Sequence, residues 1–192
     1  TIITGRVEKT EYEKGIYVNV GKTSVLLTKS HMIGDETYKV GDQIKLYVSS
    51  VNNNTKGAQI QVTRASSDFL AALFKEEILD VYDGTVEIKK IARYAGIRSK
   101  VAVYSTNPDI DPVGSCVGPK GIRIQNIINE LNGEKIDVIE WNEEPATFIS
   151  AALLPAQVMA IDVKEEDKFA QVIVPDDQLS LAIGKAGQNV RL

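Results

Sequence analysis

"DPVGSCVGPKGIRIQNIINELNG", residues 111–133, reads as a helix, a tight turn and a second helix. Asp111 stands where a helix cap belongs, and Pro112 takes the first helical position, where a missing N–H is no loss. Ile124, Ile127, Ile128 and Leu131 then recur at the spacing of one helix face, and Gly133 stops the run. Between the two helices stand Gly118, Pro119, Lys120 and Gly121. The same pattern returns further along the chain. Asp177, Leu179, Ala182, Ile183, Gly184, Gly187 and Val190 repeat Asp111, Val113, Cys116, Val117, Gly118, Gly121 and Ile124, each 66 residues on. A fixed offset of this kind marks a duplicated structural unit, so the fold is decided by what surrounds the two glycine loops.

Upstream of the first loop, "SSDFLAALFKEEIL" carries Phe69, Leu70, Leu73 and Phe74 at helical spacing, with Ser67 or Asp68 as its cap. Two strands follow, "GTVEIKKIAR" and "SKVAVYS", and "KIDVIEW" closes the unit as a third strand after the second helix. The second copy repeats this order. Phe148, Ile149, Ala152 and Leu153 echo the first helix, "NEEP" at 142–145 caps it, and "QVIV" at 171–174 echoes "KVAV" at 100–103. It ends at Leu192, before any equivalent of "KIDVIEW", and is expected to be incomplete. Residues 1–65 differ throughout. Five short β-rich runs, from "TGRVEKTEY" to "GAQIQVTR", are punctuated by Gly15, Gly21, Gly41 and Gly57. Strands so short and numerous predict a small closed barrel, which leaves few exposed edges. The predicted organisation is therefore a β domain at 1–65, then α/β domains at 66–141 and 142–192.

Bulk properties limit what these units do. The net charge is −4, but it is unevenly spread: +3 over 1–65, −3 over 66–141 and −4 over 142–192. A polyanion site must then be a local patch, not a global field. No run of about 18 apolar residues is present, so no membrane partner is expected. The start, "TIITGRVEKT", has no signal-peptide character and reads as the edge of a longer protein. A single cysteine, Cys116, fits a reducing, cytoplasmic setting, and one histidine with one cysteine cannot make a four-ligand zinc site. No cofactor or metal is expected.

A glycine at each corner of a helix-mouth loop removes Cβ and admits a sugar-phosphate backbone close to the peptide planes. Lys120 and Lys185 add a mobile positive charge. Such loops grip phosphodiesters without reading bases, which is the role of the G-x-x-G loop in K-homology (KH) domains. A Walker A loop is excluded because neither copy has G-x-x-x-x-G-K-[ST], and a dinucleotide fold because no strand leads directly into the glycines. The helix-first element order is that of the type II, prokaryotic KH domain.

A barrel followed by two such units, with "DPVGSCVG" and "LAIGKAGQNVRL", resembles the NusA family of bacterial transcription termination/antitermination factors over essentially the whole chain. The resemblance implies an S1-type OB barrel followed by two type II KH domains. It implies a non-enzymatic, monomeric, cytoplasmic factor that binds nascent single-stranded RNA, RNA polymerase and other transcription factors to modulate pausing, termination and antitermination. The family's N-terminal polymerase-binding domain and the end of its second KH domain lie outside this stretch.

The candidate RNA-binding residues are Gly118, Pro119, Lys120, Gly121 and Arg123 in the first unit. In the second they are Gly184, Lys185, Ala186, Gly187, Gln188, Asn189 and Arg191. A phosphate track is expected from Lys89, Lys90, Arg93, Arg98 and Lys100 around the first hairpin. A barrel face is expected from Tyr12, Lys14, Tyr17, Lys45 and Arg64. S1-type barrels often carry two aromatics around a glycine, and in "KGIYV" Lys14 replaces the first, so stacking there is weakened. The other reading makes Tyr17 barrel wall and these charges merely solvated. Cys116 reads as a buried structural thiol, Asp111 as a cap and not a metal ligand, and His31 as a surface loop residue. Trp141 is expected at the contact between the two KH units. A rival reading is the RNA-binding appendage of a phosphorolytic exoribonuclease, which carries the same module types in the opposite order and with one KH copy. A second rival is a protein-binding platform with vestigial loops.

Overall fold

The computed structural model describes residues 1–54 and 57–192. Strands β1 (Ile2–Glu11), β2 (Gly15–Asn19), β3 (Ser24–Thr28), β4 (Gln43–Asn54) and β5 (Gly57–Thr63) form one antiparallel sheet in the order β3-β2-β1-β4-β5. β3 and β5 come together at the open sides, so the sheet curls into the expected barrel. Alternation along the strands turns Val7, Ile16, Val18, Val25, Leu27, Ile44, Leu46 and Val62 inward as one buried cluster.

The first KH unit follows as α1 (Ser67–Glu77), α2 (Leu79–Tyr82), β6 (Glu87–Tyr94), β7 (Arg98–Tyr104), α3 (Pro112–Val117), α4 (Ile122–Glu130) and β8 (Lys135–Glu140). β7 lies between β6, its antiparallel hairpin partner, and β8, which runs parallel to it. The helices cover one sheet face and bury Phe69, Leu70, Leu73, Phe74, Val101, Val103, Cys116, Ile127 and Leu131. The cap of α1 is Ser66, whose side chain accepts from the Phe69 N–H, one residue before the predicted Ser67. Asp111 caps α3 as expected, accepting from Gly114 N.

Barrel and first KH unit share their interior. Ile33, from the barrel's β3–β4 connection, is fully buried in the KH core, with Ile2 and Tyr47 packed against it. Gly34 meets Gly96 of the β6–β7 turn so closely that a Cβ on Gly96 would come within 3.2 Å of Gly34 N.

The second unit comprises α5 (Pro145–Leu153), β9 (Ala160–Lys164), β10 (Phe169–Ile173), α6 (Leu179–Ile183) and α7 (Gln188–Arg191). Glu144 caps α5, receiving the N–H groups of Ala146 and Thr147. The sheet here has two strands, and Phe169, Leu179 and Val190 remain half exposed. Among the described residues, no helix is long and apolar enough to cross a membrane.

Candidate nucleic-acid interface

The two glycine loops have the same backbone. Gly118 and Gly184 sit at φ/ψ of 75/173° and 79/161°, Lys120 and Ala186 at 54/24° and 53/27°, and Gly121 and Gly187 at 72/16° and 71/16°. Each first glycine ends its helix, with Gly118 N bonding Gly114 O and Gly184 N bonding Ser180 O at 2.9 Å. Each last glycine closes the turn, with Gly121 N on Gly118 O and Gly187 N on Gly184 O at 3.0 Å. Four residues with three left-handed or extended-positive conformations are affordable only with glycine at both ends.

The glycines at the two ends do different work. A Cβ on Gly121 would meet nothing within 4 Å, and one on Gly187 only the guanidinium of Arg191, from 3.6 Å. Their outer surface is open. A Cβ on Gly118 would instead meet Arg123 Cγ at 2.7 Å, and one on Gly184 would meet Asn189 Cβ at 2.7 Å and Asn189 N at 2.8 Å. The first glycine of each loop is thus a packing position, and the last is a place for a ligand backbone to approach.

The turn also settles which loop donors are already spent. The N–H groups of Gly121, Ile122, Gly187 and Gln188 are spent on carbonyls within their own loops. Among the described residues, those of Lys120, Lys185 and Ala186 make no backbone hydrogen bond, and Pro119 has none to offer. The side chains of Lys120 and Lys185 are exposed. The donors left for an anion are therefore the loop amides and lysines more than the helix mouths.

Arg123 and Asn189, expected on RNA, brace the loops from beneath. Arg123 Nη1 donates to Ser115 O at 2.7 Å, and the buried Asn189 Nδ2 donates to Ala182 O at 2.9 Å. Both side chains reach back from the second helix to the end of the first. Gln188 is half-buried at the start of α7, and Arg191 is exposed at its end.

The expected phosphate track is largely dismantled. Arg93 is buried, its guanidinium on the fully buried Glu134 at 3.1 Å and on Ser66 O at 2.5 Å. Glu134 also accepts from Gly96 N at 2.7 Å and Ser99 Oγ at 2.9 Å, so one carboxylate fixes hairpin and helix cap together. Arg98 is paired with Asp137 at 2.7 Å. Lys100 is buried, reaching Ala152 O of α5 at 2.7 Å and Asp137 at 3.4 Å. Its burial lowers its pKa, partly offset by the Asp137 carboxylate. Lys89 lies 5.1 Å from the ring centres of both Tyr104 and Trp141 and pairs with Glu87. Lys90 alone of the five is exposed without an ion pair among the described residues. Arg93, Arg98 and Lys100 share one physical reason: each has a carboxylate or helix end within reach, and burial makes that partner decisive.

The barrel face is corrected in the same way. Arg64 is 2 % exposed and donates to Glu36 at 3.0 Å, to Lys45 O at 2.7 Å, and to Glu130 Oε1 and Glu130 O at 3.1 and 2.8 Å. It is a rivet between the barrel and the end of α4, where a cation also suits the helix dipole. Lys45 points the same way, to Glu76 of α1 at 2.7 Å. Tyr12, Lys14 and Tyr17 stay at the surface, with Lys29 4.0 Å over the Tyr12 ring, Lys9 5.7 Å over Tyr17, and Lys14 paired to Glu11. Trp141 packs edge-on to Tyr104 at 5.4 Å, within the first KH unit. His31 is exposed, as expected. Burial pushes the Cys116 thiol up to about 12, the state of a structural cysteine and not of a nucleophile.

The carboxylates Glu36, Glu130 and Glu134 were absent from the sequence reading. The available signal was Glu134 itself, an acid placed directly between a helix-stopping glycine and an apolar strand.

Comparison with known proteins agrees with this organisation. Residues 1–63 match the S1 RNA binding domain, residues 64–141 the NusA-like first KH domain and residues 145–192 the NusA-like second KH domain. The chain is 51% identical over 191 residues to the transcription termination/antitermination protein NusA of Halalkalibacterium halodurans, covering all of this chain and 50% of that protein. It is 52% identical to the Bacillus subtilis protein of the same name, covering 51% of it, and 46% identical to that of Thermus thermophilus, covering 49%. The chain spans about half the length of these curated relatives.

Proposed function

This chain belongs to the NusA family of transcription termination/antitermination proteins, and on that premise we propose that it is the family's RNA-reading segment, a non-enzymatic platform for nascent single-stranded RNA. The two loops grip successive phosphodiesters, each through its outward amides and lysine, and the open space over Gly121 and Gly187 takes the sugar-phosphate backbone. Residues 1–65 supply a third module, with the exposed Tyr12 and Lys14 and the half-buried Tyr17 as its remaining candidates for RNA. In the intact protein this segment acts beside RNA polymerase and other transcription factors, as a cytoplasmic monomer, to modulate pausing, termination and antitermination. The observation that carries the reading is that the two loops share one backbone geometry despite different residues at their second and third positions. The exoribonuclease alternative loses ground because the matched relatives carry the termination/antitermination name.

Gly121→Asp together with Gly187→Asp tests it. The Gly121 aspartate enters open space and the Gly187 aspartate comes beside the Arg191 guanidinium, tying it up; each sets a carboxylate against the ligand phosphate, a like-charge contact costing roughly 100-fold per loop. Titration of a fluorescent A-rich oligoribonucleotide should show binding lost in the double variant. Unchanged affinity would favour the protein-binding platform.

A further inference from the structure

The outer face of the first KH sheet is the one that α5 of the second unit covers. Lys100 and Asp137 are cross-strand partners there, opposite Val101 and Val138, which face the core. Lys100 is 5 % exposed. Its Nζ crosses to the Ala152 carbonyl, in the last turn of α5, at 2.7 Å, while Asp137 holds the same ammonium at 3.4 Å from its own sheet. Among the described residues, this is the one hydrogen bond joining residues 66–141 to residues 142–192 outside the connector. A helix C-terminus attracts a cation, and a buried ammonium tolerates little movement of its acceptors. The flanking contact is a groove of about 510 Å³ between Lys90, Ala102 and Ile139 on one side and Phe148, Leu153 and Val190 on the other, so apolar packing here is incomplete.

We propose that Lys100 is a positioning residue for RNA binding: by pinning the end of α5 to β7 and β8 it fixes the spacing and angle of the two glycine loops, and so lets one RNA strand engage both. The proposal rests on the RNA-platform reading above. Its energetic content is effective concentration. Two weak grips on one strand combine strongly only while the geometry allows simultaneous engagement. A loosened joint therefore weakens long RNA and leaves short RNA alone.

The test compares a tetranucleotide, rA4, with a twelve-nucleotide strand, rA12, on the whole 192-residue chain. Lys100→Met keeps length and apolar stem but loses the donor, and Lys100→Arg keeps a donor. Expected for Lys100→Met is an unchanged rA4 affinity and an rA12 affinity reduced at least about tenfold, restored in large part by Lys100→Arg. Spin labels at Gln125 and Lys164, both exposed, should give a narrow distance distribution in the parent chain and a broad one in Lys100→Met. If Lys100→Met lowers rA4 and rA12 affinity by the same factor, or lowers neither, the proposal is overturned. If it fails to fold, Lys100→Gln decides on the same two probes. Should the parent chain bind neither strand, the RNA-platform reading itself falls.

Discussion

The two glycine loops trace one path with different chemistry along it. Loop one is Gly-Pro-Lys-Gly and loop two Gly-Lys-Ala-Gly, yet their matched dihedral angles differ by no more than about 12°. What is held constant is glycine at both ends and a brace from the second helix. What varies is the outward donor set. Loop one offers the Lys120 amide with its lysine on the left-handed third residue. Loop two offers the Lys185 and Ala186 amides with its lysine on the second. Shape is thus set by the end glycines and the buried brace, and grip by the two residues between them. The same division separates the two KH units at large, since the first has a continuous core and the second leaves Phe169, Leu179 and Val190 half exposed.

The brace is where this comparison breaks most sharply. Gly118 and Gly184 both occupy a backbone region that is nearly closed to other residues, so Gly→Ala strains either by about 1–3 kcal/mol. The added methyl then meets different neighbours. In loop one it meets the Cγ and Cδ of Arg123, a side chain able to swing aside. In loop two it meets Asn189 N and Cβ, which cannot move without moving α7. Gly184→Ala should cost roughly 3 kcal/mol or more and Gly118→Ala roughly 2 kcal/mol. Hydrogen exchange reads this locally: amides of α6 and α7 should lose more protection in Gly184→Ala than those of α3 and α4 in Gly118→Ala. Equal losses would mean that the two braces are interchangeable.

Pro119 sharpens the comparison from the side of function. With loop two silenced by Gly187→Asp, loop one is the glycine loop left to bind, and a change made in it is read against that background. Pro119→Ala then adds a second outward N–H, as loop two has. A hydrogen bond to a charged acceptor contributes about 1.5 kcal/mol, so affinity for a short oligoribonucleotide should rise up to about tenfold. Freeing the turn from the proline ring offsets part of that gain. A fall in affinity would show that rigidity matters more here than donor count.

The architecture was legible because it is local. Alternating β-rich runs, helix periods, the Asp111-Pro112 start and the 66-residue offset all lie within short windows. The glycine loops were legible for the same reason, since their conformation depends on the residues in the loop. The cations were not. Arg64, Arg93, Arg98 and Lys100 read as a nucleic-acid surface because arginine and lysine are common there. Their partners stand 28 and 66 residues away for Arg64, 41 for Arg93, 39 for Arg98 and 52 for the α5 carbonyl of Lys100. Nothing in a local window distinguishes a cation held by Glu134 from one waiting for a phosphate. The net charges of −3 and −4 over the KH units were the hint that many cations there already had carboxylates.

The mildest break in the comparison lies two residues before the loops, where Cys116 and Ala182 occupy equivalent, buried positions. With its thiol pushed up to about 12, Cys116 carries roughly one thiolate in ten thousand at pH 8. The folded chain should resist iodoacetamide at that pH and react promptly once unfolded in urea. Cys116→Ala makes the first loop's helix resemble the second's. It removes one sulfur from a filled core that also holds Ile127 and Leu131, at a cost of about 1 kcal/mol. The thiol touches no outward loop donor, so affinity for RNA should stay within about twofold of the parent chain. Rapid labelling of the native protein would show that α3 opens far more often than the burial of Cys116 implies.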